Sequence, residues 1–201
     1  MKTESIQSLL TAMYGPQESY TDEQLQTIDT LNINRFDVVG NITTIVPEEL
    51  LKFPNLKDLS LQQCVIAEDF ISVLVQLKNL ETLNLYQCEF MDDAKEVFQL
   101  PLLKNVFLEG TEVPFSYFKD SMMNSLILSD LTVDEDLSIY VDTLDIRTAT
   151  ITNWSFLNSK IGLLIVSNTQ YQNSIELQNY TGAVRVMDDN SPTRVVKVVN
   201  A

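Results

Sequence analysis

The stretch Leu56-Lys57-Asp58-Leu59-Ser60-Leu61-Gln62-Gln63-Cys64-Val65-Ile66 is matched 24 residues later by Leu80-Glu81-Thr82-Leu83-Asn84-Leu85-Tyr86-Gln87-Cys88-Glu89-Phe90. The shared frame is Leu-x-x-Leu-x-Leu-x-x-Cys-x-apolar. Its central Leu-x-Leu has a period of two, so both leucines lie on one side of a short strand. One such strand cannot bury its leucines alone. Identical frames stack as parallel rungs, and each rung hides its apolar side against its neighbours.

Weaker copies extend the frame both ways. Upstream is Ile28-x-x-Leu31-x-Ile33 with Phe36 and Val38. Downstream are Leu103-x-x-Val106-x-Leu108 with Val113, Met123-x-x-Leu126-x-Leu128 with Leu131 and Val133, and Val141-x-x-Leu144-x-Ile146 with Ala149 and Ile151. Ile161-x-x-Leu164-x-Val166 with Thr169 and Tyr171, and Thr181-x-x-Val184-x-Val186, complete the series. Frame starts are 28, 56, 80, 103, 123, 141, 161 and 181, with spacings of 18 to 28 residues.

This pattern resembles the leucine-rich repeat family over about residues 28 to 191. The chain looks like an irregular, bacterial-type member. Leu80 to Asp92 is similar to the cysteine-containing subtype but departs from it at Cys88-Glu89-Phe90-Met91-Asp92. Cys64, Cys88, Thr111, Ala149 or Thr169 replaces the family's Asn, and the large Phe36 and Leu131 stand there in two frames. The resemblance implies an α/β right-handed solenoid with a parallel concave sheet.

The return limbs should be helical early, where Phe70, Ile71, Leu74, Val75 and Leu77, then Ala94, Val97 and Phe98, are spaced near 3.6. The later repeats leave room for 3₁₀ turns or short strands. Residues 3–14 carry Ile6, Leu9, Leu10 and Met13 at helical spacing, stopped by Gly15-Pro16. Thr21-Asp22-Glu23-Gln24 reads as a capping box for a second helix with Leu25 and Ile28. Near the C-terminus, Val184–Met187 and Arg194–Val199 flank a loop of turn formers, a hairpin pattern. The expected organisation is an N-terminal helical cap over 1–27, about eight repeats over 28–191 and a capping strand over 192–201, in one domain.

Composition narrows the function. Asp plus Glu number 28 against 13 Lys plus Arg, a net charge of −15 that disfavours nucleic acid and anionic membranes. The chain has no His, which removes Ser-His-Asp and Cys-His machinery and most zinc sites. Its five glycines are scattered, so no phosphate-cradling loop exists. Catalytic residues, cofactors and metals are expected to be none. The acidic runs Glu48-Glu49, Glu68-Asp69, Asp92-Asp93 and Asp134-Glu135-Asp136 each precede an apolar return limb, as acidic first turns do. The last lacks the Gly and terminal Glu of a calcium loop. Cys64 and Cys88 occupy one frame position in adjacent repeats and read as reduced structural thiols. A polar N-terminus without an apolar signal core gives a cytoplasmic expectation.

The residues that flank the strand leucines face solvent. One column reads Asn32, Ser60, Asn84, Phe107, Ile127, Asp145, Ile165 and Arg185. The next reads Asn34, Gln62, Tyr86, Glu109, Ser129, Arg147, Ser167 and Met187. Most are polar. Tyr86, Phe107 and Ile127 are not, and they fall on successive frames, with Ile165 beyond and Glu109 and Arg147 at the border. Either these form an exposed apolar patch for a partner, or a loop covers them, or a one-residue slip turns them inward. The expected function is a non-catalytic, monomeric protein–protein interaction module that binds on the concave sheet, with a basic rim favoured on its partner. The alternatives are a secreted bacterial effector or surface adhesion protein on the same scaffold, and an adaptor that recruits an enzyme to a bound substrate.

Overall fold

A computed structural model describes residues 3–4, 10–11, 15, 20–34, 44–45, 47–119, 121–135 and 139–200. The chain divides into two compact units, Met1–Leu103 and Lys104–Ala201. The fold is mixed α/β. Nine strands pair in mostly parallel sheet, three in the first unit and six in the second, and helices are few.

In the first unit the strands are β1 (Thr3–Glu4), β2 (Thr30–Asn34), β3 (Thr44–Ile45), β4 (Asp58–Gln62), β5 (Val65–Ile66), β6 (Thr82–Tyr86) and β7 (Glu89–Phe90). β2, β4 and β6 pair in parallel, with Leu31, Leu59 and Leu83 in register and Ile33, Leu61 and Leu85 beside them. All six of these side chains are buried. β5 and β7 form a second, smaller parallel ladder after the turn. The return limbs are a 3₁₀ helix over Pro47–Lys52, an α-helix over Glu68–Leu74 and a 3₁₀ turn over Val97–Gln99. Phe70, Ile71, Val73 and Leu74 turn the helical face inward. Each such side chain stabilises the fold by about 1.5–3 kcal/mol relative to exposure. Glu48–Glu49 and Glu68–Asp69 occupy first turns, where the helix dipole favours them.

The second unit carries β8 (Asn105–Glu109), β9 (Met122–Ser129), β10 (Thr132–Val133), β11 (Tyr140–Asp145), β12 (Thr150–Ile151), β13 (Lys160–Ser167), β14 (Val184–Asp188) and β15 (Ser191–Val199). β8, β9, β11, β13 and β14 pair in parallel in that order. Val106, Leu108, Leu126, Leu128, Leu144, Ile146, Leu164 and Val166 are all buried. β15 closes the series antiparallel to β14, with two register shifts, as the hairpin pattern predicts.

One backbone device recurs at the end of these strands. Gln63, Gln87, Gly110 and Asp130 have φ of 52°, 48°, 57° and 54°, each just before the frame position of Cys64, Cys88, Thr111 and Leu131. A non-glycine residue in this left-handed region costs about 1–2 kcal/mol, so its repetition marks one turn reused. Leu131, despite its size, follows the same turn and is buried. In the first unit the Gln63 side-chain amide donates to the Gln87 side chain at 2.8 Å.

Parts of the caps and return limbs differ from expectation. Thr21 accepts from the Gln24 N–H at 3.3 Å while the Gln24 side chain accepts from the Thr21 N–H at 2.9 Å, so the predicted capping box exists. The helix expected over 3–14 is corrected at its start: Thr3–Glu4 is a strand parallel to Thr44–Ile45. Strand pairing over that sequence distance overrides local helical spacing. Leu10–Thr11 is helical and Leu10 is buried, whereas Ile6, Leu9 and Met13 lie outside the described residues, as do Phe36, Val38 and Asp136. The late repeats do hold 3₁₀ turns at Phe115–Phe118 and Ser155–Asn158. The last return limb instead forms two α-helices, Asn168–Asn173 and Ile175–Asn179, because Ser167 and Ser174 each cap one. No helix among the described residues is long and apolar enough to cross a membrane.

Candidate functional site

In the second unit the exposed sheet face is built from one residue per strand. Register pairs Phe107 with Ile127, Ile127 with Asp145, Asp145 with Ile165, Ile165 with Arg185 and Arg185 with Val198. Paired residues on neighbouring strands stand about 4.8 Å apart, so each side chain borders the next. Phe107, Ile127 and Ile165 are half-buried, and Val198 is exposed. The alternation therefore sends these side chains away from the core, and the slipped register is ruled out for this unit.

Asp145 interrupts the apolar column and is only 5% exposed. This corrects the expectation of a solvated Asp at that position. The cause is Arg147, two residues on, which folds back over it. Arg147 Nε lies 2.9 Å and 3.0 Å from the two carboxylate oxygens, and Nη2 lies 2.7 Å from Oδ2. The Arg147 backbone N–H also donates to Oδ1 at 3.1 Å. Hydrogen bonding to Asp145 pushes the Arg147 guanidinium above its ordinary value, against its partial burial. The pair is thus a fixed, charge-assisted element of the face.

Beside it opens a pocket of about 310 Å³, lined by Ser129, Asp145, Arg147, Thr148, Ser167, Thr169, Met187, Asp188 and Asp189. Met187 is buried, not solvated as its column predicts, because β15 pairs Val195 beside it. Asp188 Oδ1 accepts the Asn190 N–H at 2.9 Å, and Asp188 pairs with Arg194 at 3.6 Å. Asp189 accepts from both the N–H and the hydroxyl of Thr169, which ties the hairpin loop to the start of the 168–173 helix. Carboxylates and hydroxyls outnumber cations here, so the pocket suits a group that donates hydrogen bonds or carries positive charge.

The Thr169 hydroxyl, then its N–H, hold the Asp189 carboxyl below the usual carboxylate range. A lowered folded value stabilises the protein above the ordinary carboxylate titration near ~3.9 and loses that contribution as pH falls through the folded value. The Asp189 side-chain carbon signal, followed by NMR against pH, should titrate below a free aspartate. Thr169→Val should move that midpoint upward; an unchanged midpoint would remove the hydroxyl as its cause.

The remaining candidates fall as follows. Glu109 is exposed at the end of β8 opposite Ser129. Tyr86 belongs to the first unit, where it is half-buried opposite Gln62 and its carbonyl accepts the Gln63 N–H at 2.7 Å. Phe107, Ile127, Asp145 and Ile165 form one sequential column in the second unit. Sequence reasoning placed the columns but missed the buried Asp145, the pocket and the anchored 188–190 loop. The opposite charges of Asp-Ile-Arg at 145–147 were the available signal. Among the described residues, no three His, Cys, Asp or Glu side chains converge to hold a metal ion. Glu135, in the acidic run weighed as a calcium loop, instead accepts the Phe115 N–H at 3.1 Å. No protein-family model matches this chain, and no curated protein matches it as a relative.

Proposed function

We propose that the chain is a right-handed leucine-rich repeat solenoid whose exposed, concave sheet face binds a protein partner without catalysis. Parallel strands at the predicted frames, three in the first unit and five in the second, support the repeat reading. The observation that carries the binding reading is the juxtaposition of Phe107 and Ile127, half-exposed register neighbours, with the polar pocket around Asp145 and Arg147. An apolar anchor beside a hydrogen-bonding rim is the composition of an interaction hot spot. Asp188 and Asp189, together with the net charge of −15, favour a basic partner segment.

The test is a displayed-peptide selection against the intact chain, followed by affinity measurements on the selected binders. Phe107→Ala combined with Ile127→Ala should weaken binding at least about tenfold, roughly 1.4 kcal/mol. Ile175→Ala, at an exposed position on the 175–179 helix, should leave affinity unchanged. Association should also slow as salt rises. Full affinity in the double variant would place binding elsewhere and end this reading.

A further inference from the structure

We propose that Cys64 and Cys88 are a modification site: a peroxide oxidises them to a reversible disulfide that staples two adjacent frames. Two ladders hold the pair in line. β4 and β6 are in register from Asp58–Thr82 through Gln62–Tyr86, and β5 and β7 resume the same register at Val65–Glu89. Cys64 and Cys88 lie between these ladders at one frame position. The Glu89 N–H donates to the Cys64 carbonyl at 3.0 Å, and the Gln63 N–H donates to the Tyr86 carbonyl at 2.7 Å. Parallel neighbours stand about 4.8 Å apart, within the Cα separation of roughly 4.4–6.8 Å that disulfides span. The Cys88 sulfur leans toward the earlier frame, 3.3 Å from the Leu61 carbonyl oxygen, and shares a side-chain hydrogen bond with Cys64.

The two sulfurs differ in access. Cys64 is partly exposed, whereas Cys88 is buried at 5%. Cys64 is therefore the sulfur that a peroxide reaches. The Cys64 thiol gives up its proton as its sulfur attacks one peroxide oxygen; the S–O bond forms, the O–O bond breaks, and the departing oxygen takes up that proton as water or alcohol. Cys88 then attacks the Cys64 sulfur. The S–S bond forms, the S–O bond breaks, and hydroxide leaves as water with the Cys88 proton. Both thiols are oxidised by two electrons in total, and the peroxide is reduced by two. The hydrogen bond from Cys64 draws the Cys88 thiol below its ordinary value despite burial, which suits Cys88 to the role of the attacking sulfur in the second step. Cys64 keeps one sulfur of the bond partly exposed, so a dithiol can reach and reduce it.

The experiment treats the fully reduced, intact chain with hydrogen peroxide under native conditions. Thiols titratable in denaturant should fall from two to none. The intact mass should drop by two hydrogen atoms without dimer formation, and a dithiol should restore both thiols. In Cys88→Ser, the Cys64 sulfenic acid should persist and be trapped by dimedone. Three results would overturn the proposal: two thiols retained, oxygen gained without loss of hydrogen, or cross-links only between chains.

Discussion

Leu83→Ala should lower the unfolding free energy by about 2–5 kcal/mol, read from urea denaturation. Leu83 is fully buried on β6, in register with Leu59 of β4. Truncation removes its transfer energy and leaves a cavity that the parallel ladder cannot close, since β4 fixes the backbone beside it. Asn84→Ala, one residue on and exposed, should change stability by less than about 0.5 kcal/mol. The contrast reads the register directly, because a one-residue slip exchanges the two positions. A loss at Leu83 below about 0.5 kcal/mol would contradict its place in the core.

The strand frames were legible because their signal is doubly redundant. Each frame carries a period of two, and the frames repeat with similar spacing, so Leu59, Leu61, Leu83 and Leu85 select one another. Other elements lack that redundancy. Thr3–Glu4 is a two-residue strand whose partner, Thr44–Ile45, is about forty residues away in sequence. Such pairing leaves no local period to read. The helix over Asn168–Asn173 buries none of its residues, so no apolar stripe announces it. Its one local sign is the Ser167–Gln170 capping box, with reciprocal bonds of 3.1 Å and 2.9 Å. The Gln170 side-chain amide also donates to the carbonyls of Ile146 and Ala149 at 2.7 Å and 2.8 Å. It thereby satisfies the carbonyls of the turn that holds Ala149. The substitute comes from the next frame, which a position-by-position reading of the motif misses.

The candidate face divides in the same way. Its columns follow from alternation alone, so the half-exposed Phe107, Ile127 and Ile165 were readable as non-core residues. The pocket was not, because four separate segments build it: Ser129, 145–148, 167–169 and 187–189. Asp189 takes its position from hydrogen bonds to Thr169, twenty residues away, which no single frame encodes, whereas Arg147 is held by Asp145 within its own.

Arg147→Ala should destabilise the second unit by about 1–3 kcal/mol. Asp145 is almost wholly buried, and the substitution strips its carboxylate of all three of these guanidinium contacts. The backbone N–H of residue 147 remains as a donor, and the Arg147 side chain is 30% exposed, so solvent replaces part of what is lost. Those two facts hold the effect below the larger cost of breaking a fully buried pair. Arg147→Lys should recover little, since an ammonium cannot present Nε and Nη2 together to the two oxygens. Asp145→Ala with Arg147→Ala should cost less than the sum of the single changes, because the double variant leaves no buried charge stranded. The same cycle, read in binder affinity, separates scaffold from contact. If Arg147 only holds Asp145, the double variant regains affinity along with stability. If its guanidinium also meets the partner, affinity stays low while stability returns. A coupling energy below about 0.5 kcal/mol in the stability cycle would show that the pair does not fix this part of the face.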